Sequence, residues 1–173
     1  MTRPTGTQAR RRFARALALL TATAAVSGCG FQLRGSAQLP FETLQAGFAP
    51  NSAIGADFRR LVRVQGGTRL VDRIEEAQVR LEILQEVREK EIVGFSSTGR
   101  PREYQLRLRL RFRLTEVANG AELIAPTELL LRREITTTDT QLVAKEQEEA
   151  LLYREMQTDM VQQLLRRLSA VRR

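Results

Sequence analysis

The chain holds one thiol, Cys29, and no histidine. Lack of histidine removes a Ser-His-Asp triad, a Cys-His pair and any imidazole zinc site, so the commonest catalytic tools are missing. The thiol has a different context. It follows Val26-Ser27-Gly28 at the end of an apolar run, Ala16 to Val26, which follows a basic leader over residues 1–15. That run is too short to span a bilayer and suits the apolar segment of a secretory signal. Cleavage between Gly28 and Cys29 needs small residues just before the cut, and Ser27 and Gly28 supply them. Val-Ser-Gly-Cys therefore reads as the lipobox of a bacterial lipoprotein, against the plainer alternative of an ordinary buried cysteine. Cys29 then carries a diacylglycerol on sulfur and a further acyl chain, palmitate or similar, on its freed amine. Each buried methylene contributes about 0.8 kcal/mol, so such an anchor is effectively permanent. With Cys29 acylated, no thiol remains for a disulfide or a thiolate metal site, and no cofactor beyond the covalent lipid is expected.

This divides the chain into a signal peptide over 1–28, an acylated N-terminus and tether over 29–40, and one domain over 41–173. Gly30 follows the acylated residue where Asp would favour inner-membrane retention, which points to the outer membrane. Arg10-Arg11-Arg12-Phe13 partly resembles a twin-arginine export signal, and an ordinary basic leader fits equally well.

A formal charge of +8 and a pI near 11.0 suggest a nucleic-acid binder at first. Five of the 28 basic residues, Arg3, Arg10, Arg11, Arg12 and Arg15, lie in the leader, which contains no acid. What remains is 23 basic against 20 acidic residues, a mild excess that removes the argument for nucleic acid. The 145 residues after the cut suffice for one domain burying around two-thirds of its unfolded surface.

Arg107, Arg109, Arg111 and Arg113 alternate with Leu106, Leu108, Leu110, Phe112 and Leu114. On an extended strand they project from one face at roughly 6.8 Å intervals. They could bind phosphate-rich ligands or meet an acidic protein wall. Equally, they could form a solvated face paired with carboxylates on neighbouring strands, such as Glu82, Glu128 or Glu134. Gly99-Arg100-Pro101-Arg102 places two cations on a turn near Phe95, and exposed tips often carry binding residues. Lys145 opens the last helix against the helix dipole. Glu146, Glu148 and Glu149 could be imagined as general acids, but acids in a first helical turn are ordinary capping chemistry. Ser96, Ser97 and Thr98 have no base nearby in sequence, and Gly66-Gly67 lacks the rest of a phosphate loop. No metal site is expected.

The elements that must position these residues follow from periodicity. Leu44, Ala46 and Phe48 alternate as a weak strand. Asn51 or Ser52 caps a helix with the stripe Ile54, Phe58, Leu61 and Val62, ended by Gly66-Gly67. Asp72 to Glu76 reads as a turn. Val79, Leu81 and Ile83 begin a strand whose alternation degrades across Arg88-Glu89-Lys90-Glu91, where a bulge or bend is expected. Tyr104 to Leu114 is the clearest strand. Asn119-Gly120 predicts a tight turn, followed by a strand over about Glu122 to Thr138 with Pro126 marking an edge or irregularity. A helix capped by Asp139 or Thr140 runs from about Val143 to Val171, burying Tyr153, Met156, Met160, Leu164, Leu168 and Val171. The expected fold is α+β: a two-layer sandwich of about four mainly antiparallel strands, covered on one face by two helices in the order β-α-β-β-β-α.

Cys29-Gly30-Phe31-Gln32-Leu33-Arg34-Gly35 resembles the mature start of the LptE family of lipopolysaccharide-assembly lipoproteins. Glu103-Tyr104-Gln105 opening the central strand, Ala144-Lys145 opening the last helix, and Leu164-Leu165-Arg166-Arg167-Leu168 ending it extend the resemblance over the mature length. The resemblance implies a non-enzymatic protein that sits as a plug in a 1:1 complex inside the barrel of LptD in the outer membrane. It also implies a role in assembling that barrel and in binding lipopolysaccharide during insertion into the outer leaflet. By motif Lys145 matches one basic binding position of the family. Relatives can carry Arg where this chain has Ser97, so Arg100 or Arg102 would take over that role. The alternative is another outer-membrane lipoprotein, a pilotin-like chaperone of a secretion pore, and a third reading is a periplasm-facing hydrolase.

Overall fold

The computed structural model describes residues 38–136 and 142–172. The leader, Cys29, most of the tether and the capping pair Asp139 and Thr140 lie outside the described residues.

Strand β1 (Thr43–Gly47) leads into helix α1 (Ala53–Gln65). Ser52 is the N-cap: its Oγ accepts from the Gly55 N–H at 2.8 Å, and Ile54, Phe58 and Val62 are buried as the stripe requires. A Cβ on Gly55 would stand 2.6 Å from Phe48 Cβ, so a glycine is needed for the helix to sit this close to β1. Gly66, at φ 67°, ends the helix and donates to the Val62 carbonyl at 3.2 Å.

The next element departs from expectation. Arg69–Val71 forms a short strand, β2, before a single 3₁₀ turn at Ile74–Glu76. Three residues are too few to show an alternation, so tertiary pairing with β1 decides their conformation. Among the described residues the sheet thus has five strands, not four, in the spatial order β2-β1-β3-β4-β5. β1 is parallel to both of its neighbours, because a helical crossover returns the chain in the same direction. The antiparallel part consists of β3 (Val79–Phe95), β4 (Pro101–Glu116) and β5 (Glu122–Thr136). β5 is an edge strand, and Pro126 sits where its register with β4 shifts. The Asn119-Gly120 turn joins β4 to β5, with Gly120 at φ 71°.

Helix α2 (Leu142–Ser169) closes the domain. Tyr153, Met156, Met160, Val161, Leu164, Leu165 and Leu168 pack with the α1 stripe against Leu106, Leu108, Leu110, Phe112 and Leu114 of β4. Each such buried side chain contributes roughly 1.5–3 kcal/mol of burial. Val171 lies beyond the helix and packs only partly.

The degraded alternation in β3 has a local cause upstream of where it was expected. Ile83 faces Phe112 and Gln85 faces Arg111, so Leu84 is an extra residue bulged out of the ladder. Before it, Val79 and Leu81 point to the helices; after it, Glu86, Arg88 and Lys90 do, opposite Leu110, Leu108 and Leu106. The strand continues through Arg88–Glu91 without a break.

Candidate functional site

The long β3–β4 hairpin ends in a turn closed by Ser96 N–H to the Arg100 carbonyl at 2.8 Å and Gly99 at φ 78°. Ser96 Oγ accepts from the Arg100 N–H at 3.1 Å. Arg100 and Arg102 are both exposed there. Around them Ile92 and Val93 are each 48% exposed and Phe95 is 65% exposed. Cations beside uncovered apolar side chains suit a ligand with both anionic and hydrocarbon parts.

Lys145 lies in the first turn of α2, half-buried, with Nζ 2.7 Å from Glu148 Oε2. One turn later Glu149 reaches across to β3, with Lys90 Nζ at 2.6 Å and Arg88 Nη2 at 3.9 Å. The Tyr153 hydroxyl, one turn further, donates to the Glu89 carbonyl at 2.6 Å. Earlier α2 residues thus meet β3 residues nearer the hairpin tip, so the N-terminus of α2 points toward that tip. Lys145, Arg100 and Arg102 share this end of the domain.

Two cations in the same region were not among the sequence candidates. The Leu84 bulge turns Arg88 and Lys90 to the helix side, where Arg88 stacks on the Tyr153 ring at 3.5 Å from its centroid. Lys90 Nζ lies 4.5 Å from the Tyr104 centroid. Burial, partly offset by the hydrogen bond and positive charge of Arg88, pushes the Tyr153 hydroxyl pKa up. The signal in the sequence was Ile83-Leu84, two consecutive apolar residues where strict alternation would have one.

The arginine row of β4 lies on the opposite, uncovered face. Arg107 Nη1 is 2.7 Å from Glu91, and Arg109 lies 3.9 Å from Glu89 and 4.0 Å from Glu128. Arg113 bonds Glu82 and stands 3.9 Å from Glu122. The hydrogen bond from Arg113 and its charge hold the Glu82 carboxyl below its ordinary range, burial opposing. Arg111 is in no ion pair among the described residues, although Glu128 faces it across the ladder. By register, Arg80, Arg107, Arg109, Arg111, Arg113 and Arg132 share this face with Glu82, Glu89, Glu91, Glu103, Glu122, Glu128 and Glu134. Its formal charges nearly balance, so it is a mixed polar wall and not a polycationic strip.

A cleft of about 370 Å³ opens between the start of α1, β3 and α2, lined in part by Ser52, Glu86, Arg88 and Gln157. The Ser52 hydroxyl donates to Glu86 at 2.7 Å within it. Among the described residues no cluster of acidic or sulfur side chains is arranged to hold a metal, and no helix is long and apolar enough to cross a membrane.

Comparison with known proteins places this architecture. The LptE (lipopolysaccharide-assembly) family model matches residues 41–168. The chain belongs to the LptE family. It is 28% identical over 159 residues to the LPS-assembly lipoprotein LptE of Pectobacterium atrosepticum, covering 90% of this chain and 84% of that protein. The solution structure of lipoprotein B from Nitrosomonas europaea is similar with a TM-score of 0.70 and 37% identity, over 82% of this chain and 91% of that one. The crystal structure of rare lipoprotein B from Shewanella oneidensis shares the fold, with a TM-score of 0.64 and 20% identity, over 75% of this chain and 95% of that one. Membership in the LptE family associates the chain with lipopolysaccharide assembly and outer-membrane biogenesis.

Proposed function

We propose that this LptE-family protein is a non-enzymatic, lipid-anchored outer-membrane lipoprotein that plugs the LptD β-barrel in a 1:1 complex. It would help that barrel assemble and bind lipopolysaccharide on its way to the outer leaflet. The observation that carries the reading is the family match over residues 41–168. Two features of the geometry support it. The mixed-charge sheet face with Arg107, Arg109, Arg111 and Arg113 suits a polar barrel lumen, where each ion pair can exchange partners with lining residues. The hairpin end, with Arg100, Arg102, Lys145 and the exposed Phe95, suits the phosphates and acyl chains of lipopolysaccharide. The anchor would be the acyl chains on Cys29, with the domain on the periplasmic side or within the lumen.

The test is purification from outer membranes in mild detergent through a C-terminal tag. A stoichiometric large β-barrel identified as LptD is expected; a chain that comes alone, or with a secretion pore, overturns the reading in favour of a pilotin-like chaperone. For the ligand, replacing Arg100, Arg102 and Lys145 together with Ala should weaken lipopolysaccharide binding while the melting temperature holds. Unchanged binding would remove those residues from the site.

A further inference from the structure

We propose that the free edge of β5 is a self-association surface, pairing antiparallel with β5 of a second copy about a two-fold axis through Leu130. It concerns the chain before any barrel encloses it, goes beyond the barrel reading and does not rest on it.

β5 is the long edge of the sheet, and among the described residues no strand pairs with its outer side. The Arg132 carbonyl accepts from its neighbour Arg133 Nη1 at 3.0 Å, a side-chain substitute for a missing strand partner. An open edge of this length invites another strand unless something blocks it. The block here is partial. Pro126 and its register shift guard the start of β5, while Thr127 to Leu131 contain neither proline nor a basic residue.

The charge pattern selects the occupant. On the outward face, Glu128, Leu130 and Arg132 are successive side chains, opposite Arg111, Arg109 and Arg107 of β4. Antiparallel pairing centred on Leu130 sets Leu130 against itself, Glu128 against Arg132, and Arg132 against Glu128. On the inner face it sets Leu129 against Leu131. The strand is thus complementary to its own reverse, as an isologous two-fold interface demands. Other registers lose this match: a centre at Leu129 sets Glu128 against Leu130 and Arg132 against Pro126, a centre at Leu131 opposes Glu128 to Glu134, and centres at Glu128, Arg132 or Arg133 oppose like charges directly. Arg132 also gains most from such a partner. It stands opposite Arg107, a destabilising like-charge pair, and is in no ion pair among the described residues. Arg107 already has Glu91. Pairing over Thr127 to Arg133 of each copy would join the two sheets into one continuous sheet.

The experiment uses the full chain in density-matched mild detergent. Sedimentation equilibrium should give a concentration-dependent dimer. Glu128→Arg and Arg132→Glu should each weaken it by about tenfold or more, and the double swap should recover most of the loss, because the inter-copy pairs are re-formed. In a Cys29→Ser chain, Leu130→Cys should oxidise readily to a covalent dimer. Facing residues of an antiparallel pair lie roughly 4.5–5.5 Å apart at Cα, within disulfide range. Glu122→Cys, far from the axis, should not. A monomer at every concentration up to roughly 100 μM overturns the proposal. So does a double swap no better than its singles, or cross-linking as fast at Glu122→Cys as at Leu130→Cys.

Discussion

The two halves of β3 make opposite use of the same face of the sheet. Before Leu84, Val79 and Leu81 are sealed beneath the helices with no solvent exposure. After it, the residues pointing the same way are Glu86, Arg88, Lys90 and Ile92, held by a hydroxyl, a ring, a carboxylate and nothing buried. One inserted residue therefore divides the domain into a dry end that supplies stability and a wet end with charge and exposed apolar groups. Stability and the proposed ligand contacts are thereby separated in space, so each should change with little effect on the other.

Leu81→Glu should break that division most severely. It would set an unpaired carboxylate beneath the helices, opposite Leu114. Burying a carboxylate there costs several kcal/mol at least, and the expected outcome is loss of the cooperative transition in chemical denaturation. Met160→Ala at the dry end should cost about 2–5 kcal/mol, because the fully buried side chain leaves a cavity under α2. Ile92→Ser at the wet end should cost under about 1 kcal/mol by the same measurement, as a half-exposed side chain has little burial to lose.

Glu149→Gln sharpens the contrast within α2. Global stability should fall by less than about 1 kcal/mol, since the pairs with Lys90 and Arg88 are partly solvated. Amide exchange in the first two turns of the helix should nevertheless quicken, because residues 144–152 include no fully buried side chain. The smallest effect is a pH dependence on the outer face. Glu82 has its folded pKa lowered by Arg113, so its contribution is present above its ordinary value of 4.5 and is lost as pH falls through the folded value. Denaturation of Arg113→Met across this acid range should show a slightly flatter loss of stability than the parent.

Much of this was legible in the sequence because single-faced elements announce themselves by period. The β4 alternation, the α1 stripe and the α2 stripe each place their residues where burial puts them. β2 was illegible because three residues carry no period and owe their conformation to β1. The displaced bulge was half legible: the disturbance appeared at Arg88-Glu89-Lys90-Glu91, but its origin lay at the Ile83-Leu84 doublet. For the hairpin end, the turn chemistry fixed Arg100 and Arg102 at the tip, whereas the Glu149 bridge between helix and strand needed the parity change to be known.

The parallel seam between β1 and β3 also bears on the order of assembly. Leu44 meets Val79 and Gly47 meets Glu82, so closing that seam means first forming α1 and β2 in the intervening chain. The β3–β4 hairpin, in contrast, can zip outward from its own turn, residue by residue, with little loop entropy to overcome. A chain exported N-terminus first therefore releases β1 well before its central partner exists, and that strand must wait uncommitted until the hairpin gives it an edge to join.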